Sequence, residues 1–161
     1  MIYLETVNDP ISQENVQIHK SILNSHPSYN LVVVGKEFLT DEGIMTETSE
    51  NLKMGEKTLH IKQDDECIGI ITYLPESQHV KHTWIGLFAI HKNDEGGGVG
   101  TKAWGLFEQI LLEQSINRVR LLVQNGNDRG ASFWSKNGFV KINSQMDEHK
   151  NMVDVLGKQL S

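Results

Sequence analysis

The stretch that decides the fold is GLFAIHKNDEGGGVGTKAWGLFEQIL, Gly86 to Leu111. It runs from an apolar segment into four glycines within five residues, Gly96, Gly97, Gly98 and Gly100, and then changes period. Ala103, Phe107, Ile110 and Gln114 share one helical line, with Trp104 and Leu111 beside it, so a helix is expected from Thr101 to about Ser115. A glycine cluster between a strand and a helix lets consecutive backbone N–H groups approach an anion at the positive end of the helix. A flexible surface turn is the alternative, but turns rarely need four glycines just ahead of a strong helix.

Two phosphate loops can be compared with it directly. The Walker pattern requires Lys and then a hydroxyl after its last glycine, whereas Gly100 is followed by Thr101 and then Lys102, which argues against an ATP or GTP site. Gly98 to Ala103 satisfies G-x-G-x-x-A, a dinucleotide fingerprint. That fold would continue to a parallel strand ending near an acid, yet the next apolar run ends VQNGN, with no acid before Asp128.

Working outward, KTLHIKQ and CIGIITYL flank the polar DDE and read as a hairpin, and TWIGLFAIH is a further strand after the loop PESQHVKH. Arg118 to Gln124 is a short strand, followed by a loop, a helix and a stop at Gly138. FVKIN and MVDVLGKQL then form a closing antiparallel pair around the polar SQMDEHK. On the other side, MIYLETV is a first strand, NDP supplies a cap and an early-helix proline, and Ile11 to Leu23 carries helical spacing. The turn-rich NSHPSYN, Asn24 to Asn30, is expected to break that helix; Leu31 to Val34 is an apolar run of either type, and Thr40 starts a second helix running towards Met54.

The glycine loop resembles the acyl-CoA loop of the GNAT superfamily of N-acyltransferases, [RQ]-x-x-G-x-[GA], with the register Glu95-Gly96-Gly97-Gly98-Val99-Gly100. A second block, NDRGASFWSKNGF from Asn127 to Phe139, is similar to that family's N-x-x-A-x-x-[FL]-Y-x-x-x-G-F segment. The resemblance covers roughly Lys57 to Leu156, and the helices before it fit the family's variable acceptor side. It implies an α/β fold of α+β type: a mixed, mostly antiparallel sheet, splayed at its centre, with helices on both faces. It also implies acetyl-CoA as acyl donor, with the pantetheine arm paired to backbone groups of Phe88 and Ile90. The pyrophosphate would be cradled by amides of Glu95, Gly96, Gly97, Gly98, Gly100 and Thr101. Asn127 and the helix bearing Ser132, Trp134 and Lys136 would face the thioester end, Asn127 serving as helix cap, as ligand contact or as both.

The pattern also departs from the family. Glu95 replaces Arg or Gln and puts negative charge near a pyrophosphate, so its side chain is expected to point away. Trp134 stands where the family commonly has the Tyr that protonates the leaving thiolate, and Trp84 where some relatives carry a carboxylate base; indole can do neither job. A primary amine of pKa ~10 must lose a proton before it attacks. The acceptors nearest in sequence are His82, two residues before Trp84, then Glu76 and His79 in the preceding loop, with Tyr73 as a candidate donor. A solvated loop or packed aromatic reading stands beside each.

Composition bounds the rest. The 161 residues suffice for one domain, 1–161, burying roughly 70% of the unfolded surface. A net charge of −6 argues against nucleic acid, no apolar run is long enough for a membrane span, and the lone Cys67 fits a reducing cytoplasm without an internal disulfide. The histidines show no metal-ligand spacing. The expectation is therefore a cytoplasmic GNAT-type acetyltransferase, monomeric or homodimeric, moving acetyl from acetyl-CoA to a primary amine by direct attack in a ternary complex. A non-catalytic acyl-CoA sensor or partner module, suggested by Trp84 and Trp134, is the alternative of a different class. A small nucleotide-binding oxidoreductase, resting on G-x-G-x-x-A alone, is the third.

Overall fold

The computed structural model describes residues 1–160. In chain order the elements are β1 (Ile2–Thr6), α1 (Gln13–Leu23), α2 (Pro27–Val34), α3 (Asp41–Lys53), β2 (Lys57–Gln63), β3 (Glu66–Leu74), β4 (Trp84–Ile90), a 3-10 turn (Lys92–Asp94), α4 (Val99–Glu113), β5 (Arg118–Gln124), α5 (Asp128–Lys136), β6 (Val140–Met146) and β7 (Met152–Gln159). The strands form one sheet in the order β1-β2-β3-β4-β5-β7-β6. All neighbours are antiparallel except β4 and β5, which run parallel.

The hairpin expected from β-branched flanks forms with Asp64 and Asp65 as its two turn residues, at φ 50° and 71°. Left-handed geometry at both matches the right-handed twist of the flanking strands, and Asp tolerates it better than most residues. Alternation along β2 and β3 then sorts the two faces. Leu59, Ile61, Ile71 and Tyr73 pack with Ala103, Trp104, Phe107 and Leu111 of α4 in one apolar core. On the opposite face His60, paired with Ile70, meets His19 of α1. Helices therefore cover both faces, and the expected mixed, mostly antiparallel architecture is what is found.

Several boundaries differ from the sequence reading. Asn24 to Asn30 is not one long break, because Pro27 opens α2. Proline suits the first helical turn, where its missing N–H would be unpaired anyway. Asn30, buried within α2, donates to the carbonyls of Leu23 and Glu37 and so spans both flanks of the helix. The cap of α1 is Ser12, whose hydroxyl accepts from Asn15 N–H, rather than the Asn8-Asp9-Pro10 segment. β6 extends through Ser144 and Gln145 to Met146; it is a fully exposed edge strand, so its polar residues fit strand geometry as well as a loop.

His19 and His60 are both almost wholly buried, with their Nε2 atoms 2.8 Å apart. One ring must donate and the other accept, and the accepting ring must be neutral. Burial, reinforced by the neighbouring His60, holds His19 down at about 4; burial, then Lys62, lowers His60. An unfolded histidine titrates near 6.5, so below that pH the unfolded chain binds protons the native chain refuses, and stability falls as pH drops from 6.5 towards 4. For His19 alone the loss is about 2 kcal/mol by pH 5. Thermal unfolding of wild type and His19→Gln at pH 7 and pH 5 should show the larger drop in the wild type; equal drops would rule out this pair as the source.

Candidate active site in the splay between β4 and β5

β4 and β5 are joined at one register pair, Trp84 with Arg120, and by the bond from Arg120 N–H to the Thr83 carbonyl at 2.9 Å. Beyond it the strands diverge, and a cleft of about 640 Å³ opens between Ile85–Ile90 and Leu121–Gln124. On its far side Leu87 to Ile90 of β4 pair residue for residue with β3, and the bond from His91 N–H to Ile68 O continues the ladder. Alternation then turns the backbone groups of Phe88 and Ile90 towards the gap. The Ile90 carbonyl does face it, because it accepts from His26 Nε2 at 2.7 Å, which fixes that ring as the Nε2–H tautomer. Ser25 Oγ accepts from Lys92 N–H beside it. The α1–α2 turn is thus pinned to the end of β4, across one end of the cleft.

The glycines follow directly from the same end of β4. Gly96, Gly97 and Gly98 have φ of 95°, 63° and 79°, a region that disfavours side chains, and a Cβ at any of them would meet nothing within 4 Å. Their bareness serves backbone shape and open access rather than packing. Gly98 caps α4 with no side-chain bond, so the first-turn amides, including those of Gly100 and Thr101, remain available at the positive end of a four-turn helix. Gly100 has a different reason: a Cβ there would lie 3.0 Å from the Phe133 ring, so its absence lets α4 approach α5.

α5 supplies the remaining wall. Asn127 caps it, Oδ1 accepting from Gly130 N–H at 3.0 Å, which leaves the side-chain NH₂ as a donor towards the cleft that Asn127 lines. Trp134 is buried, packed edge-on against Phe88, Trp104, Phe133 and Phe139, and forms apolar floor. Glu95, whose side chain is expected to point away, is held by a cation. It lies in the cleft lining and pairs with Arg129 Nη2 at 3.1 Å, so an acid at the usual Arg or Gln position is matched by a cation from α5.

This arrangement is that of a known family. A profile of the acetyltransferase (GNAT) family matches residues 21–139. The chain belongs to the GNAT family. Over 99% of its length it is similar in fold to 97% of an acetyltransferase from Thermus thermophilus, at 17% identity and a TM-score of 0.76. It is similar, again over 99% of each chain, to the PaiA N-acetyltransferase of Thermoplasma acidophilum in complex with coenzyme A, at 16% identity and TM-score 0.70. The ribosomal-protein-S18-alanine N-acetyltransferase of Escherichia coli aligns with 100% of the chain over 95% of its own, at 8% identity and TM-score 0.74. No curated protein sequence matches the chain. This GNAT chain is an acetyltransferase with acetyl-CoA as its acyl donor. The residues fit that donor: bare amides at a helix N-terminus for phosphate, and an open strand edge with an aromatic floor for the arm.

Of the residues expected in the site, Phe88, Ile90, Glu95, Gly96, Gly98, Gly100, Thr101, Asn127 and Trp134 line the cleft together. Gly97 lies within the same loop, while Ser132 and Lys136 are exposed on α5 away from the lining. Tyr73, His82 and Glu76 are not brought to it. Tyr73 is buried on the α4 face, against Phe107, and donates to Gln114 Oε1. His82 precedes β4, so strand alternation does not govern it, and its ring lies edge-on to Trp84. Glu76 is exposed in the β3–β4 connection. Among the described residues no three metal-binding side chains come together, and no helix is long and apolar enough to cross a membrane. The sequence reading assigns no role in the site to His26, Ser25 or Arg129, although NSHPSYN contains the first two and NDRGASFWSKNGF the third.

Phosphates held at this loop would be repelled by Glu95, which also tethers the cation that would attract them, and an exposed ion pair is worth little by itself. Glu95→Gln should therefore tighten CoA binding by roughly two- to fivefold at low salt, and Arg129→Ala should weaken it by a similar factor, with both effects shrinking as salt rises. Calorimetric titration with CoA at two ionic strengths reads both; weaker binding by Glu95→Gln would refute the account.

Proposed function

We propose that this chain transfers acetyl from acetyl-CoA to a primary amine, by direct attack while both substrates are bound. The observation that carries it is the strand splay leading straight into three left-handed glycines and an uncapped helix. In this reading the amides of Glu95 to Gly98, Gly100 and Thr101 hold the pyrophosphate, and Phe88 and Ile90 pair with the pantetheine arm as a missing strand would. Asn127 offers its NH₂ near the arm, and Trp134 supplies an apolar wall and no proton. The amine enters from the side of α1 and α2, where Tyr29 and Asn30 line the cleft opposite β4. A net charge of −6 favours cationic acceptors. The single cysteine fits the cytoplasm as the place of work.

The dinucleotide reading has little room here, because β4 and β5, the only parallel neighbours among the described residues, separate at the point where that fold would pack them together. Thermal unfolding with acetyl-CoA, CoA, ATP and NADP separates the possibilities. At a hundred times its Kd a ligand that binds only the native state adds about 2.7 kcal/mol, a rise of several degrees. Both CoA species should produce that rise, with ATP and NADP far behind, and a panel of primary amines should then show steady-state acetyl transfer. CoA stabilisation without transfer to any amine would favour a sensor; no stabilisation by CoA would sink the cleft assignment.

A further inference from the structure

The cleft has an acceptor end as well as a cofactor end, and none of the residues considered so far brings a proton acceptor there. β4 carries a bulge at that end: Thr72 pairs with Leu87 and Tyr73 with Ile85, so Gly86 is the extra residue. Gly86 is exposed and lines the cleft. A Cβ at Gly86 would lie 2.9 Å from Thr72 Oγ1 and 3.2 Å from Glu56 Oε2. A hydroxyl and a carboxylate therefore converge over the one β4 position that has no side chain to cover its backbone.

Glu56 comes from the short connection between α3 and β2, held by the bond from its own N–H to Asn51 O at 3.1 Å. Burial pushes its carboxyl up to about 7; the charge of Glu47 on α3 adds to this, while hydrogen bonds from Thr72 and Asn51 partly oppose it. Lys57, the next residue, is exposed at the start of β2, and β4 contributes only the Gly86 backbone. A carboxylate poised near neutrality beside the cleft-lining Gly86 is suited to taking a proton from an ammonium, since transfer is most efficient when the acceptor's pKa lies near the working pH.

We propose that Glu56 receives the proton lost by the acceptor's primary ammonium, in a niche floored by Gly86 and flanked by Thr72. The inference rests on the acetyltransferase reading above. In the step, an N–H proton passes to the Glu56 carboxylate, the freed nitrogen pair bonds to the thioester carbonyl carbon, and the C–S bond breaks with its pair going to sulfur. A second N–H proton neutralises the thiolate, and Glu56 returns its own to water. Gly86 matters because any side chain there would occupy the space between the two oxygens and the strand.

The test uses n-butylamine as a generic primary amine with acetyl-CoA, following kcat/KM from pH 5.5 to 9 for wild type, Glu56→Gln and Gly86→Ala, with stabilisation by acetyl-CoA measured on each. The wild-type profile should rise through a limb near pH 7, well below the amine's own ionisation near ~10. Glu56→Gln should lose that limb and at least tenfold in kcat/KM at pH 7.5, with acetyl-CoA stabilisation unchanged. Gly86→Ala should raise the KM for butylamine severalfold, again without touching acetyl-CoA. A wild-type limb and rate retained in Glu56→Gln would overturn the inference and leave the acetyltransferase reading standing, as would absence of butylamine turnover in a protein that binds acetyl-CoA. Absence of acetyl-CoA stabilisation in the wild type would overturn the underlying reading instead. Should Glu56→Gln fail to unfold cooperatively, an unchanged KM in Gly86→Ala overturns the niche.

Discussion

Everything functional in this fold depends on β4 and β5 being neighbours that touch only at one end. A parallel pair closed along its length would satisfy Phe88 and Ile90 within the sheet and leave no cleft. Held at Trp84 and Arg120 and released beyond, the same strands expose a backbone edge in the middle of a sheet, where unpaired N–H and C=O groups are costly unless something bonds them. His26 meets part of that need at the Ile90 carbonyl. A ligand that carries amides of its own can meet the rest, so the driving force for holding a pantetheine arm is built into the sheet rather than added by special side chains.

The same economy explains why a tryptophan stands at position 134. Trp134 joins Trp104, Phe133 and Phe139 in edge-on contacts that tie α4, α5 and the start of β6 into one aromatic block under the cleft. Gly100 lets Phe133 close against α4, and this block fixes where the glycine loop and the α5 N-terminus stand relative to each other. A phenol at 134 could deliver a proton, whereas an indole there maximises buried area and leaves the proton to be handled elsewhere. Packing and chemistry compete for one position, and in this chain packing holds it.

What could be read from the sequence follows the range of the interactions involved. The glycines, the stripe of α4 and the hairpin are local signals, each written within a few residues, and they point to the glycine loop and the β4 edge that line the cleft. Pro27 is also a local signal, but it reads as a break in the sequence because a proline that starts a helix and one that ends a helix look alike until the partners of Asn30 are known. Glu56 lies thirty residues from Gly86, and its relation to that position arises only when β2, β3 and β4 align side by side. His82 and Tyr73 are candidates in the sequence by nearness to Trp84 and by strand position. Strand position cannot say which sheet face a residue takes across a bulge, and the bulge at Gly86 shifts that very assignment.

Charge poses a last question, since a chain of net charge −6 must attract a ligand made of phosphates. Screening answers it. At physiological salt the Debye length is about 8 Å, so acids on distant faces are felt weakly at the glycine loop, and the groups within reach decide. Those are the α4 N-terminus, Lys92 and Arg129, with Glu95 holding Arg129 in place at the cost of its own repulsion. In the niche proposed at Gly86 the balance would reverse, because Glu56 feels the charge of Glu47 and takes hydrogen bonds from Thr72 and Asn51, so an arriving ammonium would meet acids where the donor's phosphates would meet N–H groups and cations.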